Sequence, residues 1–150
     1  MKGKVSFVIA GDAVGKGRSR HRHVKTKTGK EFDTEYTPGK TRNYEQIVRL
    51  EYERQVGHEI FARDAALAMK VTVYQRIPKG MTKKNRARVE TGELRPGKKP
   101  DISNIIKSIE DGLNGVAYID DNQIVDQHGV KFYADEPYVL VEIEEAGKRD

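Results

Sequence analysis

Between Lys98 and Gln123 the chain gathers carboxylates, amides and lysines in one run, K-K-P-D-I-S-N-I-I-K-S-I-E-D-G-L-N-G-V-A-Y-I-D-D-N-Q. Asp101, Asp120 and Asp121 offer hard oxygen donors, and Lys107 adds an ammonium. A magnesium site has this composition, because Mg2+ takes few protein carboxylates and keeps its other positions for water and phosphate. Ser103 precedes Lys107 by four residues and so shares its helix face. The same residues also suit plainer work: Asp101 as a helix cap, Lys107 as an i+4 partner of Asp111, Asp120-Asp121 as an acidic turn. Residue types alone leave both readings open.

What decides between them is how these residues are carried. Ile102, Ile105, Ile106, Ile109 and Leu113 recur at helical spacing and form one narrow stripe for a core. The helix starts at Asp101, just after Pro100, and Asn114-Gly115 ends it. Such a helix of about twelve residues is ~18 Å long, so its start and the turn after it meet only if the next strand runs back alongside.

One hundred and fifty residues suffice for one domain with a core. No apolar run approaches 18 residues and no leader pattern opens the chain, which predicts a soluble, cytoplasmic protein without membrane contact. The absence of Cys excludes disulfides and thiolate metal sites. His21, His23, His58 and His128 lack zinc spacing.

Charge is unevenly distributed. Residues 1–100 hold 24 Lys+Arg against 11 Asp+Glu, whereas residues 101–150 hold 4 against 12, within a net charge of +5. A basic portion joined to an acidic one suits a polyanion held by the first beside metal chemistry in the second; the alternative is a solvated surface. The basic residues fall in two stretches. Lys16, Arg18, Arg20 and Arg22 lie in a glycine-rich arm, and Lys83, Lys84, Arg86, Lys98 and Lys99 lie in a long loop that leads to Asp101. All nine are candidate DNA contacts, with Phe32 or Tyr36 near sugars or bases. G-D-A-V-G-K-G in the arm lacks the spacing of a phosphate loop, which excludes a nucleotide cofactor.

The remaining elements follow from alternation and breakers. Residues 4–10 predict a strand, Thr28-Gly29 a small hairpin turn, and Thr41 to Val56 a helix with Tyr44, Ile47, Val48, Tyr52 and Val56 on one face. Leu67 to Ile77 predicts a strand and Lys83 to Glu90 a short helical piece. Gln123 to Tyr133 predicts a strand kinked at Gly129, Tyr138 to Glu144 a last strand, and Ala146 to Asp150 a frayed tail. The sum is a single α/β (α+β) domain over residues 1–150, with a mixed sheet packed against two main helices in the order β-arm-α-β-loop-α-β-β.

K-K-P-D-I-S-N-I-I-K followed by D-G-L-N-G-V-A-Y-I-D-D-N-Q-I-V resembles the core signature of the RusA family of Holliday junction resolvases, closely over residues 98–125 and loosely over nearly the whole chain. The resemblance implies a homodimeric, Mg2+-dependent endonuclease, with Mn2+ able to substitute. Its substrate is branched DNA, nicked symmetrically at four-way junctions during recombination and repair, and such proteins are often prophage-borne. By position it implies catalytic roles for Asp101, Lys107 and Asp121, and metal binding by Asp101, Asp120 and Asp121. The family pattern carries a second Asp where this chain has Ser103, and a hydroxyl is a far weaker ligand than a carboxylate. Two expectations follow: an active resolvase, or a catalytically weak, structure-specific junction-binding protein.

Overall fold

The computed structural model describes residues 3–18, 20–36 and 38–150, without the side chains of residues 20, 35 and 36. The Arg20 and Tyr36 side chains, candidates from the sequence, therefore lie outside the described residues. The elements are β1 (Lys4–Ala10), β2 (Arg20–Lys25), β3 (Glu31–Tyr36), α1 (Gly39–Gln55), β4 (Ala65–Arg76), α2 (Lys83–Glu90), α3 (Ile102–Leu113), a 3-10 turn (Asp121–Gln123), β5 (Ile124–Ala134) and β6 (Tyr138–Lys148). The α+β expectation holds. The mixed sheet has the order β1-β6-β4-β5, with β4 and β5 parallel and the other pairs antiparallel. The predicted hairpin in the arm is β2-β3, a separate two-stranded sheet whose turn contains Gly29 at φ 85°, a conformation that only glycine adopts cheaply.

The core lies between one face of the mixed sheet and helices α1 and α3. Phe7, Ile9, Leu67, Met69, Val71, Val73, Val139, Val141 and Ile143 supply the sheet side by period-two alternation. Ile105, Ile106, Ile109 and Leu113 supply the α3 side, as the stripe predicts, and Tyr44, Val48 and Tyr52 the α1 side. Ile47 does not join them and stays exposed. The two helices cross where Gly112 leaves no room for a side chain, since a Cβ there would lie 3.0 Å from the Glu45 carbonyl oxygen and 3.2 Å from Val48 Cβ.

Three expectations are corrected. Gly129 does not kink β5, whose register against β4 is continuous from Ala68/Asp126 to Arg76/Ala134; the irregularity skips Val125 instead. Glycine stands at 129 because α3 presses on the strand: a Cβ there would sit 2.6 Å from Ile102 Cγ1 and 2.7 Å from Ile106 Cδ1. The tail is not frayed at Ala146, because β6 continues to Lys148, which pairs with Ala65, and Arg149 N–H donates to the Asp64 carbonyl at 2.9 Å. Asp101 does occupy the N-cap position of α3, but its side chain makes no capping hydrogen bond.

One edge of the sheet is closed by a side chain. Gln55, at the end of α1, donates from Nε2 to the Val8 carbonyl at 2.7 Å and accepts the Val8 N–H on Oε1 at 2.9 Å. Among the described residues no helix is long and apolar enough to cross a membrane.

Candidate active site

Helix α3 and the strand that returns beside it order the site. Gln127 of β5 hydrogen-bonds Glu110, Gly129 packs under Ile102 and Ile106, and the Lys131 ammonium donates to the Lys98 and Pro100 carbonyls at 2.7 and 2.9 Å. The strand thus runs back along the helix, as convergence requires. Even so, what it brings to the helix start is a lysine. Asp101 faces the field of Lys131, whose pKa is lowered by burial, with Asp101 pulling the other way. The acidic turn meets the helix further along, at Lys107.

Lys107 is where the two halves of the signature meet. Its ammonium lies 3.1 Å from Asp111 Oδ1 and 3.2 Å from Asp121 Oδ2. The plain i+4 pairing with Asp111 and the pairing across to the acidic turn therefore coexist. The Asp111 hydrogen bond chiefly raises the Lys107 pKa, burial opposes it, and Asp121 adds to the rise, so the amine is a cation at neutral pH. Ser103 is exposed in the first turn of α3, on the Lys107 face.

The acidic turn is pinned from beneath by Gln123, which has no exposure to solvent. Its Oε1 accepts the N–H groups of Ile119 at 2.9 Å and Asp120 at 3.3 Å, while Nε2 donates to the carbonyls of Ala62 at 2.9 Å and Ala65 at 3.1 Å. Asp120 accepts the Asn122 N–H at 3.2 Å, and that bond leads the causes that lower its pKa, with Arg149 also contributing. Arg149 further bonds the Asn122 side chain and the Arg63 carbonyl. Neither Gln123 nor Arg149 was singled out from the sequence. The D-D-x-Q spacing was the available signal for Gln123, whereas nothing local marks Arg149.

The basic candidates separate into groups. Arg18 and Lys99, joined by Lys40, which the sequence did not single out, line an open groove of about 980 Å³ at the start of α3, with Gly15, Pro100, Asp101 and Asn104 also lining it. Lys98 is exposed at the same entry, Lys83, Lys84 and Arg86 are exposed on α2, and Arg22 is exposed on β2. Lys16 differs. It also lines the groove, but its ammonium is held by Glu45 at 2.8 Å and Asp111 at 2.9 Å.

A family model described as Endodeoxyribonuclease RusA matches residues 10–144. The chain belongs to the RusA family. It is also 35% identical over 143 residues to an uncharacterized protein, YqaN, of Bacillus subtilis (strain 168), across 94% of this chain and 96% of that one. RusA proteins are Holliday junction nucleases that act on branched DNA and in general depend on a divalent metal. Among the described residues no three His, Asp or Glu side chains form a group able to hold a metal ion. The RusA donors nevertheless fit a divalent cation in kind. Asp120 and Asp121 are adjacent carboxylates on one rigid turn, and Mg2+ sites commonly use one or two carboxylates with water and substrate phosphate completing the shell.

Proposed function

We propose that this RusA-family protein is a Mg2+-dependent resolvase that makes symmetric nicks in four-way DNA junctions, with Mn2+ able to replace Mg2+. The observation that carries this reading is the Lys107 ammonium held 3.2 Å from Asp121, which joins the helix and turn halves of the signature at one point. Asp120 and Asp121 would hold the cation. When bound, it would supply Lewis-acid polarisation of the scissile phosphate and a water of lowered pKa. Lys107 offsets the negative charge that grows on the phosphate or the leaving oxygen. Asp101 lines the basic groove and would present a third carboxylate to a strand bound there. Arg18, Lys40, Lys98 and Lys99 bind the backbone without reading bases, because phosphate contacts position rather than specify.

A homodimer suits the substrate. A four-way junction has two related strands to cut, and a two-fold axis brings one site to each. DNA as substrate places the protein inside the cell, in recombination or repair.

Ser103 supports a second reading, a junction-binding protein with weak or no cleavage. The experiment is a labelled synthetic four-way junction beside a linear duplex of the same sequence. Binding is measured without metal, and nicking with Mg2+ or Mn2+. Paired symmetric nicks at the junction are expected. Selective binding without nicks selects the second reading, and equal treatment of junction and duplex sinks both.

A further inference from the structure

The strap between β1 and β2 lies along α3 in a fixed register. The Val14 carbonyl accepts the Ser108 hydroxyl at 2.7 Å, and the Lys16 N–H donates to the Asn104 carbonyl at 2.9 Å. The strap lies close against the start of α3, since a Cβ at Gly15 would lie 3.0 Å from Pro100 Cβ and 3.2 Å from Asn104 Cβ. On the other flank, the Gly17 N–H donates to Thr41 Oγ1 at 2.9 Å. Lys16 is therefore presented from a backbone tied to α3 and α1 on both flanks.

From there its side chain joins an alternating chain of charges: Glu45 to Lys16 at 2.8 Å, Lys16 to Asp111 at 2.9 Å, Asp111 to Lys107 at 3.1 Å, and Lys107 to Asp121 at 3.2 Å. The chain crosses α1, the strap, α3 and the acidic turn. Asp111 has both oxygens committed, Oδ2 to Lys16 and Oδ1 to Lys107. A carboxylate held at one oxygen cannot rotate to take Lys107 with both. Charge shared with Lys16 also weakens its hold on Lys107, leaving that ammonium available to Asp121 and an arriving phosphate.

We infer that Lys16 is a positioning residue for Lys107, acting through Asp111, and not a phosphate contact. The inference rests on the nuclease reading for its kinetic consequence but not for its structural one. The two Lys16 pairs are partly buried and the two Lys107 pairs open to solvent on the lysine side; the role inferred for the chain is geometric, because a misplacement near 1 Å can cost about a hundredfold in rate.

The test uses Lys16→Met, Asp111→Asn and their double variant on the full chain. Lys16→Met is expected to slow single-turnover nicking roughly ten- to a hundredfold, with junction affinity and its salt dependence unchanged. The double variant should nick no more slowly than Asp111→Asn alone, because Lys16 acts only through Asp111. Lys16→Arg should recover most of the rate. Two results overturn the inference: weaker junction binding with a salt slope reduced by about 0.9, the mark of a lost phosphate contact, or a lowered melting temperature with unchanged nicking. Side-chain NMR of Lys107 at fixed pH separates this inference from the nuclease reading. If the parent protein makes no nicks, a Lys107 signal that loses order in Lys16→Met still supports the positioning role, and an unmoved signal overturns it.

Discussion

Gly129→Ala places one methyl where β5 meets α3, and its cost can be worked from two contacts. The added carbon would lie 2.6 Å from Ile102 Cγ1 and 2.7 Å from Ile106 Cδ1, whereas carbons rest at about 3.5–4.0 Å. The helix or both isoleucines must therefore give by roughly 1 Å. Ile106 is buried and has little room to turn, while Ile102 is partly exposed and can swing. Overpacking of this kind costs about 1–3 kcal/mol. The backbone at 129 needs no left-handed conformation, so alanine recovers ~0.5–1 kcal/mol of strand preference. With central values of each term, the net expectation is a loss of roughly 1 kcal/mol, read by urea denaturation, with a melting temperature lower by about 2–5 °C. Ile102→Ala made in this background should cost less than in the parent chain, since it vacates the clash. A Gly129→Ala protein as stable as the parent, or strictly additive double variants, would refute the claim that α3 rests directly on this strand.

Three further expectations address the site. Ser103→Asp should raise Mg2+-dependent nicking of the junction, and an unchanged rate would show that this position does not reach the metal. Lys107→Met should lower the nicking rate by about 10²–10³ while leaving junction affinity nearly intact; a loss of affinity alone would make Lys107 a binding residue. Burial raises the Glu110 pKa, with the Gln127 hydrogen bond opposing. A carboxyl raised in the folded state contributes its stability fully below the ordinary carboxylate range and loses it as pH climbs through the raised value. Glu110→Gln, which keeps an acceptor for Gln127, should therefore stabilise the protein near neutral pH and leave it unchanged in acid; equal effects at both would refute the assignment.

The strands and helices were legible in the sequence wherever periodicity was the cause. Residues 4–10 and 83–90 form β1 and α2 with the bounds expected, and the Ile102–Leu113 stripe is the buried face of α3. Several departures share one physical origin, a partner distant in the chain. Gly129 carries the same local signal whether a strand bends or a helix presses on it, and the pressing residues lie more than twenty positions away. Lys16 looks like any lysine in a basic arm until Glu45 and Asp111 are placed beside it. The tail appeared frayed because its partners are Asp64 and Arg63, at the entry to β4. At the site, composition pointed to hard oxygen donors, but it carried no information about which carboxylate each lysine would face. Lys131 beside Asp101 follows from the parallel pairing of β4 with β5, which only the assembled sheet reveals.

The Gln55 amide at the sheet edge bears on how copies of this protein avoid one another in a crowded solution. An outer strand with free donors and acceptors is a template for any extended segment that drifts past, and growth from such edges is the usual start of fibrous aggregates. At Val8 both main-chain groups are already answered by one side chain, so an incoming strand meets a site whose pairing is taken. Gln55 reaches Val8 from the last turn of α1, so that turn positions the amide. That turn thereby blunts the sheet edge at Val8, a role separate from any chemistry on DNA.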